Sequence, residues 1–334
     1  MAEKYLVIDV HNHYLPETVA KKLGMPVGKG NSASRYANQA RRWMTEIESR
    51  LQAMDESGVD MAVLEQSGSS SEGLEICGEI NDGYAKIAHD YPGRFIPCVH
   101  VPLEAGQEVL NEVDRAVNEL GFRCISLVTS TAATTLDSEE LFPLYEKISC
   151  FGLPIFIHPS LRRPLWGGTK YKMSWHVSRE YDILKATVEV MYGVLPNFPD
   201  LKFVMPHHGG GIPSLKGRLM AGFDEPEGMN VPESIKGLPK TPRELQQTGL
   251  DKAFEEKFDK LYFDTAGFGG WMPITEAAIK VIRTDRLCFG TDWPVEIHEA
   301  QDIKVFVNKI KQLDIAAEDK RNILGRNVKN LLKL

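Results

Sequence analysis

The sequence predicts a (β/α)8 barrel. Three observations predict it. Eight short runs are apolar and rich in β-branched residues, longer segments between them carry apolar residues at i, i+3, i+4 and i+7, and the chain has 334 residues. A barrel of this kind takes about 250 residues plus insertions. One barrel over residues 1–334 is therefore expected, with two domains as the alternative on length alone. Strand–helix alternation gives a parallel sheet, and a doubly wound open sheet is the other arrangement it allows.

The elements follow in order. The first run, 5–10, leads into His11-Asn12-His13. Residues 16–38, rich in Gly, Lys and Ser, then interrupt the repeat. Helical spacing resumes over 43–54 and stops at Gly58, where glycine suits a left-handed cap. The second run is 61–64 and the third 95–99, followed by helical spacing over 109–120 with Gly121 beyond it. The fourth run, 124–128, precedes a helix over 141–151 that Gly152 ends. The fifth, 154–157, terminates in His158-Pro159, and a second excursion, 161–177, follows. Helical spacing over 181–195 leads to the sixth run, 202–205, which ends in Pro206-His207-His208 and three glycines. A polar excursion, 225–249, carries no functional signal. The seventh run is 261–263, then helical spacing over 275–282. The eighth, 287–289, ends in Gly290-Thr291-Asp292-Trp293-Pro294 before a helix over 303–313. The near-continuous apolarity of the runs suits strands covered on both faces. Loops after barrel strands line the catalytic face, so 16–38 and 161–177 are expected to be lids; tolerated insertions are the other reading.

Composition narrows the function. Net charge is −7, and Lys and Arg form no basic stripe; the isoelectric point is about 5.8. Nucleic-acid binding is set aside, whereas a local cationic cluster for a small anionic substrate is compatible with an acidic protein. The five cysteines Cys77, Cys98, Cys124, Cys150 and Cys288 form no CxxC motif and read as reduced core thiols. No signal peptide and no run of about 20 apolar residues is present. A cytoplasmic protein with no membrane partner is expected.

The chemistry sits at the strand ends. A strand alternates its side chains with a period of two, so His11 and His13 point the same way. His158, the His207-His208 pair and Asp292 stand at the same end of the fifth, sixth and eighth runs. A barrel gathers those ends at one mouth. Three imidazoles and one carboxylate suit Zn2+, and also Mn2+, Fe2+ or Co2+.

These residues carry a resemblance that spans nearly the whole chain. With the segments 54–60, 119–122, 141–145, 156–159, 198–202, 208–211 and 290–294, the chain resembles the decarboxylase branch of the amidohydrolase superfamily. It is most similar there to the 2-amino-3-carboxymuconate-6-semialdehyde decarboxylases, with the dihydroxybenzoate decarboxylases as cousins. The resemblance implies one amidohydrolase-type barrel in which His11, His13, His158 and Asp292 hold one divalent metal, Zn2+ first and Mn2+ second. It implies that His208, before the triple glycine, is the histidine that contacts substrate, with His207 as the competing candidate. The fourth run lacks the lysine that bridges two ions in related enzymes, so a single metal is expected. Some ring decarboxylases carry Glu where this chain has His11, which tilts the match towards the carboxymuconate-semialdehyde type. The implied function is a metal-dependent, non-oxidative carboxy-lyase acting on a small unsaturated or aromatic carboxylic acid. Asp292 or His208 would supply the proton, by direct protonation or after hydration. A hydrolase that opens a lactone or amide with metal-activated water is the alternative, and a non-catalytic binding barrel the third reading. A homodimer is implied too.

Further residues near the mouth have two readings each. Arg162 and Arg163 would grip a substrate carboxylate, or else be solvated loop arginines. Trp175 would stack on a flat substrate or pack; Trp293 reads as packing. Asp264 orients a ligand or caps a turn. His100 would line the pocket or be a hydrogen-bonded core histidine, and His176, in the lid loop, would touch substrate or be solvated; His89 and His298 read as solvated.

Overall fold

The apolar runs form eight strands: β1 (Ile8–Asp9), β2 (Met61–Leu64), β3 (Phe95–His100), β4 (Cys124–Val128), β5 (Pro154–His158), β6 (Lys202–Met205), β7 (Tyr262–Asp264) and β8 (Leu287–Cys288). The computed structural model describes residues 5–27, 36–65, 72–160, 171, 173–222 and 250–334. The strands pair in sequence order, β1 to β8, and every pair is parallel. Parallel neighbours need a crossover over the sheet face, and the helices supply it.

Closure comes from the segments just beyond the short first and last strands. The Val10 N–H donates to Phe289 O at 2.9 Å and the His13 N–H to Trp293 O at 2.8 Å. Asn12 forms a parallel bridge with Trp293. These bonds exclude the doubly wound alternative and make a (β/α)8 barrel. They also place the His11-Asn12-His13 segment directly beside the one that carries Asp292.

The expected helices form with small shifts. Ile47–Ser57 ends on Gly58 at φ 81°, and Phe142–Phe151 ends on Gly152 at φ 63°. The long helix Leu74–Asp90 crosses between β2 and β3, a stretch with weak apolar periodicity. Its buried face includes Asn81, whose amide donates to His100 O at 2.9 Å and accepts from the His100 N–H at 2.8 Å. A polar residue on the inward face blurs the 3.6-residue pattern.

The main core lies between strands and helices. Inside the barrel a smaller cluster of Ile8, Val63, Cys98, Cys124, Phe156 and Val204 fills the end opposite the histidines. The mouth at the strands' C-terminal ends is left to polar groups. All five cysteines are free, four of them buried. Among the described residues no helix is long and apolar enough to cross a membrane.

Of the excursions, 16–38 contributes the short helix Glu17–Lys22 and part of Tyr36–Trp43. Residues 28–35, 161–170, 172 and 225–249 lie outside the described residues; they make up most of the expected lid 161–177 and about a third of the expected lid 16–38.

Candidate metal centre

Four imidazoles meet at the mouth. Ring centroids lie 5.2 Å apart for His11–His13, 5.3 Å for His11–His158, 4.9 Å for His13–His158 and 5.3 Å for His11–His207. All four side chains are buried. Strand periodicity aims His11 and His13 inward, as expected. His158 is the last residue of β5, in register with Val128 of β4. Asp292 lies four residues beyond β8 at φ 56°, a left-handed conformation that turns its carboxylate back over the barrel.

Hydrogen bonds outside the cluster set which nitrogen faces in. His11 Nδ1 donates to Asp264 Oδ2 at 2.8 Å, leaving Nε2 for the centre. His158 Nδ1 donates to Pro159 O at 2.9 Å, with the same result. Asp292 Oδ1 lies 3.0 Å from His13 Nε2 and 3.9 Å from His11 Nε2. Fixing the outward nitrogen orients a histidine for metal.

Asp264 performs both roles considered for it. Its Oδ2 orients His11, while Oδ1 accepts the His207 and Ala266 backbone N–H groups at 2.8 and 2.9 Å. Asp9 ties the strands beneath. Its carboxylate accepts from the Thr291 backbone N–H at 3.0 Å, Thr291 Oγ1 at 2.6 Å and Arg50 Nη2 at 2.8 Å. Arg50 in turn lies 5.0 Å from the Trp293 ring centroid, so Trp293 packs rather than faces a substrate. His100 is buried and hydrogen-bonded. His89 and His176 are exposed, whereas His298 stacks on Trp43 at 4.6 Å.

The sixth strand end departs from expectation. Sequence favours His208 as the histidine at the centre, but the structure places His207 there. Both residues adopt φ 53°, and this tight left-handed turn sends the two rings apart. His207 Nδ1 donates to Glu180 Oε1 at 3.0 Å, and its Nε2 lies 3.7 Å from Asp292 Oδ2. His208 Nε2 instead contacts Thr275 Oγ1 at 3.1 Å. Two glycines make the arrangement possible. A Cβ on Gly267 would stand 2.3 Å from His207 Cγ, and one on Gly210 would stand 2.2 Å from the Glu180 carbonyl oxygen. Absence of those methyls lets the turn close on the helix Arg179–Glu189 that carries Glu180.

Glu65, one residue past β2, was not among the expected site residues. Its Oε1 lies 3.4 Å from His11 Nε2. A signal existed: an acid directly after four apolar strand residues mirrors the place of His158. Glu180 and Arg50 gave no such signal, because both sit on helices. Arg162 and Arg163 lie outside the described residues, as does the Trp175 side chain.

The electrostatics demand positive charge. Burial opposes a charged His11, but Glu65, Asp264 and Asp292 outweigh it and push its pKa up to about 10. Burial raises Glu65 to about 7, with Asp264 and Asp292 adding to it against His11. Burial also works to raise Asp292, yet the His13 hydrogen bond and the neighbouring imidazoles hold it well below the usual carboxylate range. His158 is driven down by burial and by the other histidines. Carboxylates and imidazoles thus share a dry mouth that either protons or a cation must neutralise. His11 Nε2 and His207 Nε2 are buried with no hydrogen-bond partner among the described residues. The donor set fits a single divalent cation.

Known proteins show the same frame. The chain is 25% identical to 2-amino-3-carboxymuconate-6-semialdehyde decarboxylase of Dictyostelium discoideum, over 98% of this chain and 92% of that one. It is 25% identical to gamma-resorcylate decarboxylase of a Polaromonas species, over 85% and 86%. The crystal structure of dihydroxybenzoic acid decarboxylase from Polaromonas, with bound manganese and the inhibitor 2-nitroresorcinol, superposes at TM-score 0.74 with 21% identity, covering 99% of this chain and 98% of that one. The amidohydrolase family model matches residues 8–334. With its barrel closed at the strand ends that carry His11, His13 and Asp292, the chain belongs to the amidohydrolase family.

Proposed function

We propose that this protein is a metal-dependent, non-oxidative decarboxylase of a small unsaturated or aromatic carboxylic acid. One observation carries the reading: His207, hydrogen-bonded to Glu180, brings a donor nitrogen within 4.8 Å of donor atoms of His11 and Asp292, next to a second buried group formed by His11, His13, Glu65 and His158. The cation is assigned to His11, His13, His158 and Asp292. The named decarboxylases among its relatives support it. The whole chain, 1–334, is taken as one barrel domain, supported by the family match over 8–334.

Loss of CO2 breaks a carbon–carbon bond and leaves its electron pair on the substrate carbon. When bound, the cation polarises a substrate oxygen and spreads that charge. His207 supplies the proton in this reading. Its Nδ1–H is held by Glu180, so Nε2 is the nitrogen that delivers a proton to the carbon. Burial works to raise Glu180, but His207 and Arg179 together hold it below its ordinary value, so it stands ionised opposite the Nδ1–H. Asp292, held ionised by the imidazoles, serves as ligand rather than acid. Arg162 and Arg163, four and five residues after His158, are assigned the substrate carboxylate, and Trp175 the flat face of the substrate.

Zn2+ and Mn2+ both suit the donors; the manganese in the related Polaromonas structure supports Mn2+. The free thiols support a reducing cytoplasmic location, and the resemblance supports a homodimer. The test incubates Mn2+- or Zn2+-loaded protein with hydroxybenzoates and muconate-type acids and measures CO2. Release from at least one acid is expected. Absence of CO2 from all of them, or opening of a lactone without CO2, would overturn the reading.

A further inference from the structure

We propose that Glu65 is a fifth protein ligand to the cation, so that the centre is a three-histidine, two-carboxylate set rather than the three-histidine, one-aspartate set read from the strand ends. The inference deepens the functional reading and rests only on its premise that the site binds a divalent ion.

The geometry carries it. Donor atoms of His11, His13, His158 and Glu65 all lie within 4.8 Å of one another, and all four residues are buried. Two ligands on one ion, with bonds of about 2.1 Å and an angle of about 90–110°, stand about 3.0–3.4 Å apart. Glu65 Oε1 to His11 Nε2 is 3.4 Å, and Asp292 Oδ1 to His13 Nε2 is 3.0 Å. His11 Nε2 therefore has a carboxylate at ligand–ligand distance on the residue after β2, while its separation from Asp292 Oδ1 is 3.9 Å.

Glu65 is also aimed. Its backbone N–H donates to Asn12 O at 2.9 Å, and its carbonyl accepts from the Tyr14 N–H at 3.2 Å. These bonds lock it alongside the His11–His13 segment, where it bridges His13 in parallel register. Ser126 Oγ of β4 donates to the outer oxygen, Oε2, at 3.4 Å. One oxygen is thus held from behind, and the other faces the imidazoles.

The chemical consequence concerns which metal binds. Two anionic ligands, Glu65 and Asp292, would balance the charge of a divalent ion. Additional hard oxygen and higher coordination number favour Mn2+ over a tetrahedral Zn2+ site.

The experiment compares wild type with Glu65→Gln and Glu65→Asp. The second variant keeps the buried charge and withdraws the oxygen by one methylene, which protects the fold. Mn2+ dissociation constants are read from the electron paramagnetic resonance signal of free Mn2+, and visible spectra are taken of the Co2+-loaded proteins. A rise of at least about tenfold in Mn2+ dissociation constant, a smaller rise for Zn2+, and a changed Co2+ ligand-field spectrum are expected for Glu65→Gln, with Glu65→Asp between. An unchanged Co2+ spectrum would place Glu65 outside the coordination sphere and overturn the assignment, even if affinity fell. Unchanged affinity would overturn it too. Wild type that binds Mn2+ but releases no CO2 from any acid would defeat the decarboxylase reading alone.

Discussion

Asp264 Oδ2 accepts a hydrogen bond from His11 Nδ1 at 2.8 Å, and the same carboxylate's Oδ1 accepts the His207 backbone N–H at 2.8 Å. One side chain at the end of β7 thereby sets the tautomer of an imidazole on the first strand's extension and the start of the turn after the sixth strand. Asp264→Asn weakens that grip and permits the wrong tautomer. Divalent-metal affinity should fall about 10–100-fold, read by competition with a chelating dye. Equal affinity would show that His11 orients itself.

The two adjacent histidines should separate cleanly. His207→Asn should lower the rate of CO2 release about 10²–10⁴-fold with metal content unchanged. Glu180→Gln should reproduce part of that loss and shift the pH profile of kcat, because the Nδ1–H partner loses its charge. His208→Asn should leave kcat within a few-fold. The reverse pattern would return the role to His208.

Acid should destabilise the protein through His208. Burial holds its pKa down to about 4, against about 6.5 in an unfolded chain. Between those values the unfolded state binds the extra proton, so stability falls as pH drops from 6.5 towards 4. The loss from this group is about 2–3 kcal/mol across that window and nothing above it. Melting temperatures from pH 7.5 to 4.5 should show a smaller acid-side slope in His208→Asn than in wild type. Identical slopes would reject the assignment.

The Asp9–Arg50 pair should be structural. Both partners are fully buried, 2.8 Å apart. Arg50→Ala leaves the Asp9 carboxyl without its cation in a dry site, a change that costs about 3–5 kcal/mol. Urea unfolding measures it. The double variant Asp9→Asn, Arg50→Met should recover part of the loss, since no unpaired charge remains. A double variant no more stable than Arg50→Ala would show that packing of Arg50 on Trp293 dominates.

Much of the fold was legible because its signals are local. Apolar runs bounded by Gly58 and Gly152 announce strands and helix ends through chain geometry alone. The closing contact between residues 10–13 and 289–293 was not legible, since β1 and β8 are two residues each. Their union depends on bonds made beyond the strands. Glu65 was visible in principle by the rule that identified His158, but a single acid after a strand competes with a solvated reading. Glu180 could not be found this way: helix periodicity says which face is buried, not which imidazole a buried acid meets.

The sequence by itself determined that His11 and His13 share a face, and that His158, the His207-His208 pair and Asp292 stand at strand ends. A strand's period of two and its apolar run suffice for that. Only the tertiary structure decided which of the adjacent histidines enters the centre. That choice depends on left-handed backbone at both residues and on the close approach of Gly267 and Gly210 to other segments. Those contacts join elements remote in the chain, and no local pattern of residues encodes a turn's dihedrals or its neighbours across space.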